Sequence, residues 1–425
     1  MNIWIVNPFD ELPGETDIRH RYWALADTLS DQGHTVTWWS SNFSHRTKDY
    51  RRPACSTKPQ EDYRRPACSN LKFSLRLVPT SPYARNVSFA RLRNHRQYAQ
   101  RFKKLASASI ESGELPPPDR IVVSLPPLGT ASAAFAIRKR FGGEVIVDIM
   151  DAWPETFYRL FPGQLGRYLM WPLKRSAIGA FRGADRISAV AQVYIDLAKS
   201  HAPDKPTHLC YHGIDKEDEG QKTKSKGPNL SDSGQSSPAP HPLKIAYIGA
   251  LERSYDLETA IQAIQQLSNE GNAVELHIAG AGTQEAALRN LVTRLWTAES
   301  KCPVHFHGLL SRTDLHKLLS DCHLGLIPMT QDSHVGIPYK LGDYCAAGLP
   351  VISSLDGECR EFLETKKAGS YYEPGVVQSL VSVLSDYSRG ERDISAEGIN
   401  SLALAKQWFD RNQTYADLSG FISGE

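Results

Sequence analysis

The sequence predicts an α/β protein of two doubly wound, parallel-sheet domains facing each other across a cleft. Three features predict it. The chain opens strand, loop, helix, strand; the same grammar returns after residue 243; and the stretch between, 216–242, is almost wholly polar. At roughly 150 residues per domain, 425 residues suit two or three domains. With 41% hydrophobic and 23% charged residues, the chain can fill a core in each.

The first domain is expected over 1–210. Ile3-Trp4-Ile5-Val6 reads as a buried strand, and Pro8, Pro13 and Gly14 mark the loop after it. A helix is expected from about Arg19 to Ser30, stopped by Gly33, with a strand over Thr35–Trp39. Further strands are expected at 71–78, 120–124 and 144–149, and helices at 88–111, 129–141 and 167–181. The octapeptide DYRRPACS occurs at 49–56 and again at 62–69. It reads as a local duplication in a basic loop, with Arg51, Arg52, Arg64 and Arg65 as its charged members.

A linker or hinge is expected at 211–243, because its polar part cannot bury enough apolar surface to order itself. The second domain, 244–395, starts on the strand Leu243–Ile248. Helices follow at 256–269, 283–298, 311–320 and 338–347, alternating with strands at 273–279, 303–306, 323–327 and 350–353. A last helical stretch, within 396–425, is expected to pack back toward the first domain.

Charge and cysteine usage narrow the function. Residues 1–216 hold 31 Lys and Arg against 20 Asp and Glu, and residues 217–425 hold 18 against 27. The net charge of +2 therefore hides a basic front half suited to an anionic partner. Seven cysteines without a C-x-x-C pair fit a reducing cytoplasm and neither a disulfide scaffold nor a zinc ribbon. No apolar run reaches about 18 residues, so no membrane-spanning helix is expected. The opening MNIWIVNPFDELPGE does not read as a signal peptide. No strand is followed by G-x-G-x-x-G, which disfavours an NAD(P) dehydrogenase, and no nucleic-acid motif accompanies the basic half.

The most informative segment is 331–353, QDSHVGIPYKLGDYCAAGLPVIS. Pro338 suits the first turn of a helix, Gly348 the residue after its end, and Pro350 forbids continuation. Free N–H groups and the dipole at such a helix start bind phosphate. Lys340 in that turn runs against the dipole, so an anion is the expected reason for it. Asp343, on the same helix face, can accept hydrogen bonds from a sugar diol. Two glycine turns, Gly249-Ala250-Leu251 and Gly280-Ala281-Gly282, would let a ligand approach the backbone.

This segment resembles the donor-binding motif of the family-4 retaining glycosyltransferases, in the branch serving bacterial O-antigen and capsule synthesis. The matching residues are Pro338, Lys340, Asp343, Tyr344, Ala347, Gly348, Pro350, Val351 and Ile352. The resemblance extends over most of the chain. It includes the Pro-Gly-Glu loop with Arg19 and Arg21, Gly33-His34-Thr35-Val36 and Asp151-Ala152-Trp153-Pro154-Glu155. It also includes Ala184-Asp185-Arg186-Ile187 and His212-Gly213-Ile214-Asp215. It departs in four places. Val335 stands where the wider family has the first acid of Glu-x7-Glu, Ala250 and Tyr255 where it has Arg and Lys, and His212 where it has Asn.

The resemblance implies the GT-B fold of two Rossmann-like domains. It implies transfer of a sugar from a nucleotide-diphosphate sugar to a glycan or lipid-diphosphate-linked acceptor, with retention of configuration. Donor-side residues would be Gly249, Arg253, Gly280, Gly282, His307, Pro338, Lys340 and Asp343. Asp151, Arg253 and Lys340 would be the catalytic groups, and Gly14, Glu15 and Arg19 the acceptor side. No cofactor is expected. Neither is a catalytic metal, since the chain has no Asp-x-Asp to bridge one to a diphosphate. His305 and His307 share a strand face, but the sequence shows no further metal ligand beside them. Residues 157–182 combine aromatics, Leu and basic residues without an acid. With the basic domain, they point to a peripheral place on the inner face of the cytoplasmic membrane. The alternatives are a nucleotide-sugar epimerase on the same fold and a non-catalytic sugar-nucleotide or membrane-binding subunit.

Overall fold

Central strands of a doubly wound sheet are covered on both faces, so they read as unbroken apolar runs. Strand β1 (Asn2–Val6) is such a run, and Ile3 to Val6 are fully buried. The computed structural model describes residues 1–16, 19–51, 71–86, 88–154, 163–214, 242–296, 302–333 and 335–425. The chain divides into two units: Met1–Tyr211 with Asn412–Glu425, and His212–Arg411. The polar stretch from Lys216 to His241, Arg52, Arg64, Arg65, Glu155, Asp215 and His334 lie outside the described residues.

In the first unit β1 is joined by β2 (Thr35–Ser41), β3 (Ser74–Val78), β4 (Arg120–Leu125), β5 (Glu144–Ile149), β6 (Arg186–Ala189) and β7 (Thr207–Leu209). All neighbours are parallel, in the order β3-β2-β1-β4-β5-β6-β7. The helices are α1 (Arg21–Asp31), α2 (Phe89–Glu111), α3 (Leu128–Phe141), α4 (Gly163–Gly183) and α5 (Gln192–Lys199). Trp4, Trp39, Tyr98 and Phe102 fill one side of the sheet, and Ile3, Ile5, Tyr22 and Trp38 the other.

The second unit repeats the plan with β8 (Leu243–Ile248), β9 (Val274–Ala279), β10 (Val304–Gly308), β11 (Leu324–Ile327), β12 (Val351–Ser353) and β13 (Gly369–Tyr371). Their parallel order is β10-β9-β8-β11-β12-β13. Its helices are α6 (Leu257–Asn269), α7 (Glu285–Leu295), α8 (Arg312–Asp321), α9 (Tyr339–Ala346), α10 (Glu358–Lys366), α11 (Val377–Ser388) and α12 (Ile394–Leu404). Both sheets follow the Rossmann order, with a reversal beside β1 in the first and beside β8 in the second. The crevice outside the carboxyl ends at such a reversal is where these folds bind ligands.

The terminal helical stretch is not one helix. A π-helical turn, Ala405–Phe409, separates α12 from α13 (Arg411–Ser423). Tyr415, Leu418 and Ile422 of α13 enter the core of the first unit beside Leu25 and Leu29.

Arg21 is fully buried on α1 and grips Asp148 of β5 through two bonds, Nε to Oδ2 at 2.9 Å and Nη2 to Oδ1 at 3.0 Å. Tyr22 and Ser188 hydroxyls donate to the same carboxylate at 2.6 and 2.7 Å. Burial alone would raise the pKa of Asp148. The Arg21 charge and these hydrogen bonds outweigh it and hold the carboxyl below its ordinary range.

Candidate functional site

In the second unit the glycine turns and α9 meet at the carboxyl ends of the central strands. Pro338 sits at the N-cap of α9, and Gly348, at a φ of 70°, closes its end. Tyr344 anchors the helix. Its hydroxyl accepts from Ile248 N–H at the end of β8 at 2.9 Å and donates to Leu326 C=O of β11 at 3.1 Å. The tyrosine of the sequence motif is thus a structural pin at the strand reversal. It packs so tightly that a Cβ on Gly325 would lie 2.4 Å from its ring.

The glycines serve close packing of backbone on backbone. A Cβ on Gly280 would lie 1.8 Å from the Gly249 carbonyl oxygen, and one on Gly282 2.3 Å from that of Leu251. Gly249 N–H donates to Ala279 and Gly280 N–H to Gly308, at 2.9 and 2.7 Å. The turn after β8 is also tied to the one after β11, since Asp256 N–H donates to Pro328 C=O at 2.7 Å and Thr330 N–H to Ser254 C=O at 3.2 Å.

Lys340 points into this assembly. It is 6% exposed, and its Nζ has no hydrogen-bond partner. The ammonium instead lies over two aromatic rings, 4.0 Å from the centroid of Tyr247 and 3.8 Å from that of Tyr255. A Cβ on Gly249 would lie 3.1 Å from the same Nζ, which places the lysine against the first glycine turn. Burial pushes its pKa down to about 7, and Asp343 offsets this only in part. Tyr255, which stands where the resembled family has a basic residue, is therefore a wall of the lysine's enclosure rather than a second cation.

The other donor-side candidates fall as follows. Asp343 is half-buried on α9 within electrostatic reach of Lys340. Arg253 is exposed and lines a hollow with Tyr255, Gln284, Leu288, Arg294 and Thr330. His212, in place of the motif Asn, stacks on Tyr339 of α9 at 3.6 Å between centroids. Val335 is exposed. His307 is on the edge strand β10, where its Nε2 lies 3.1 Å from His277 Nδ1.

The first unit gathers a separate group after β1 and β5. Asp151 follows β5, and the Trp153 indole N–H donates to its Oδ2 at 3.1 Å. His95 packs on Trp153 at 5.4 Å, and the Arg91 guanidinium lies 5.0 Å from the Trp153 ring and 5.7 Å from that of Phe9. His45 hydrogen-bonds the Tyr83 hydroxyl. Burial and nearby cations push both His45 and His95 down to about 3, so both rings are neutral at pH 7. Gly14, at a φ of 88°, turns the Pro-Gly-Glu loop. Glu15 accepts from Leu12 N–H at 2.9 Å and pairs with buried Arg51 at 3.3 Å. Arg51 also donates to the Asp10 carbonyl at 2.8 Å, so the first arginine of the duplication anchors this loop. Arg19 pairs with Asp27 of α1 at 3.1 Å.

Sequence reading did not single out Tyr247, His45, Tyr83, Arg91 or His95. Arg91 and His95 carry a usable signal, a four-residue spacing on one helix face, and Arg91 Nε donates to His95 Nε2 at 3.3 Å. The others meet only through the sheet.

In the second unit a buried lysine thus stands beside a glycine turn and a helix start, at the carboxyl ends of the sheet's central strands. Residues 242–387 match the family model described as glycosyl transferases group 1. Over 175 residues the chain is 28% identical to the putative colanic acid biosynthesis glycosyltransferase WcaL of Salmonella typhimurium, covering 40% of this chain and 42% of the relative. Over 184 residues it is 27% identical to the amylovoran biosynthesis glycosyltransferase AmsK of Erwinia amylovora, covering 43% and 44%. The match thus spans less than half the length of these relatives. Among solved structures, sucrose-phosphate synthase of Thermosynechococcus elongatus superposes with a TM-score of 0.71 at 13% identity, over 100% of this chain and 98% of that one. HepE of Anabaena in complex with UDP superposes with a TM-score of 0.66 at 14% identity, over the full length of both. The fold is the two-domain, Rossmann-like architecture of GT-B glycosyltransferases.

Proposed function

We propose that the chain is a glycosyltransferase of bacterial surface-polysaccharide assembly. It would transfer a sugar from a nucleoside-diphosphate sugar to a glycan or lipid-diphosphate-linked acceptor, with retention of configuration and without a catalytic metal. The observation that carries this reading is Lys340, a buried cation without a hydrogen-bond partner, set in the first turn of a helix and against a glycine turn. A diphosphate supplies the missing partner. Charge that develops on the departing nucleoside diphosphate would be stabilised by Lys340, by the N-terminal dipole of α9 and by Arg253. Asp343 would accept hydrogen bonds from a sugar diol, and Asp151 would be the acceptor-side carboxylate of the first unit. The group 1 match and the naming of the colanic acid and amylovoran relatives support this reading.

The test is thermal unfolding of the whole protein with UDP, GDP, dTDP, CMP or NAD, each with and without EDTA. One diphosphate should raise the melting temperature selectively, and EDTA should leave that increment unchanged. Asp343→Ala should shrink the nucleotide increment and spare that from pyrophosphate. No shift from any nucleotide would overturn the reading. The anomeric configuration of the product, read by NMR, decides retention.

The acceptor side is proposed to work at a membrane surface. Helix α4 exposes Leu165, Tyr168, Leu169 and Trp171, carries Arg167, Lys174, Arg175 and Arg182, and contains no acid. Among the described residues no helix is long and apolar enough to cross a membrane. Such a helix lies in the interface, held by apolar side chains and by anionic headgroups. Co-sedimentation with phosphatidylglycerol vesicles should fall as salt rises and fall further in Leu165→Glu/Trp171→Glu. Equal recovery of the variant would rule α4 out as the contact.

A further inference from the structure

Three histidines and a glutamate, drawn from two adjacent strands, form a cluster of which the sequence reading assigned only His307 to the sugar donor. Along β9, Leu276 and Ile278 enter the core of the second unit, so Glu275 and His277 fall on the opposite face. Along β10, Phe306 packs toward that core, and His305 and His307 alternate with it. The parallel register puts His305 directly beside His277. The four side chains therefore meet because two strands with i, i+2 polar pairs are aligned. From sequence only one of those strands attracted attention.

The ligand-type atoms of Glu275, His277 and His305 all lie within 4.8 Å of one another. His277 Nε2 is buried and meets no hydrogen-bond partner, and it faces the Glu275 carboxylate at 3.5 Å. Around a tetrahedral ion with bonds of about 2.0–2.2 Å, ligand atoms stand roughly 3.3–3.6 Å apart. The Glu275–His277 separation already has that value, and His305 closes the remainder by side-chain rotation. His277 Nδ1 lies 3.1 Å from His307 Nε2. An Nδ1–H donated to His307 leaves the Nε2 lone pair free toward Glu275, the tautomer a metal requires.

We propose that Glu275, His277 and His305 form a binding site for a zinc-type divalent transition ion, with His307 as the positioning residue. The ligand set is two imidazoles and one carboxylate, which leaves a fourth position for water. It suits Zn²⁺ and its neighbours better than Mg²⁺ or Ca²⁺, which prefer all-oxygen cages. One further observation favours an ion between His277 and Glu275: Lys244, opposite Glu275 in the register, does not fill the place, because its Nζ is held by Asp321 at 2.6 Å. Bound there, the ion would clamp the edge strand β10 to β9. It has no part in the transfer chemistry and stands or falls independently of it.

The experiment uses the whole protein stripped with a chelator and dialysed. Titration with ZnCl₂ by calorimetry should show one tight site per chain, and zinc should raise the melting temperature. Co²⁺ in place of zinc should give visible d–d bands of low-coordinate cobalt. Glu275→Gln and His305→Asn should each weaken zinc binding by more than tenfold and abolish the bands. His307→Gln should weaken it by about tenfold while keeping them. Metal-free melting temperatures show whether each variant is folded, and either folded ligand variant suffices. Absence of a stoichiometric site in the wild type overturns the proposal. So does zinc affinity unchanged in a folded ligand variant, which would place the ion on other histidines or cysteines.

Discussion

Replacing Lys340 with Met should raise the melting temperature of the ligand-free protein and remove most of its stabilisation by the preferred nucleoside diphosphate. The two effects have opposite signs for one reason. In the free protein the ammonium is buried without a hydrogen-bond partner, over the rings of Tyr247 and Tyr255. Desolvation outweighs the cation–π contact, and a methionine of similar length fills the space without that cost. A bound diphosphate turns the same group into a charge-assisted donor worth about 1.5–3 kcal/mol, which corresponds to roughly ten- to a hundredfold in affinity. The pH dependence has a definite sign. Lys340 titrates at about 7 in the folded chain against an ordinary 10.5. Between those values the unfolded chain holds a proton that the folded one lacks, so this site makes stability rise with pH across that window, with its penalty complete below about 7. Phosphate binding favours the protonated lysine. Affinity should therefore fall above about pH 7, with proton uptake visible by calorimetry in buffers of different ionisation enthalpy. A lower melting temperature together with an undiminished nucleotide shift in Lys340→Met would reject the assignment.

Much of this site was legible because its signals are local. Pro338, Gly348 and Pro350 punctuate a helix through backbone chemistry that needs no partner, and the helix runs Tyr339–Ala346 as that punctuation predicts. The glycine turns were visible as turns. What they exclude was not, because the atom that a Cβ on Gly280 would strike belongs to Gly249, 31 residues earlier in the chain. Tyr255 looked like the loss of a cation, and only folding shows it beside Lys340. The same limit explains the metal candidate, where His305 and His307 stood out by spacing while Glu275 and His277 reach them through strand register. Short elements were also missed. Strands β6, β7 and β13 have only three or four residues, and α5 has eight, too few for a period to declare itself.

Asp148→Ala should destabilise the first unit by about 3–5 kcal/mol, the largest single loss expected in this chain, because it leaves Arg21 charged and buried. From sequence, Arg21 stood out only with Arg19 beside the Pro-Gly-Glu loop of the resembled family. The structure gives it a carboxylate, the Cys210 carbonyl at 2.9 Å and no exposure, so its role is to join α1, β5 and the segment after β7. Ser188 and Tyr22 complete the carboxylate's shell, and their loss of an acceptor adds to the damage. The double variant Arg21→Met/Asp148→Leu should recover most of the loss, since it leaves no charge to desolvate. The pair also predicts acid sensitivity. The carboxyl is held below its ordinary value of 3.8, so its contribution is complete above that value and disappears as pH falls through the folded-state pKa. Urea denaturation of the whole protein, followed by tryptophan fluorescence, reads each variant, because Trp4, Trp38 and Trp39 lie in the first unit's core. If Arg21→Met kept wild-type stability and instead raised KM for the acceptor, Arg21 would belong to the acceptor site after all. Equal stability of Asp148→Ala and the wild type would remove the pair from the forces that hold α1 to the sheet.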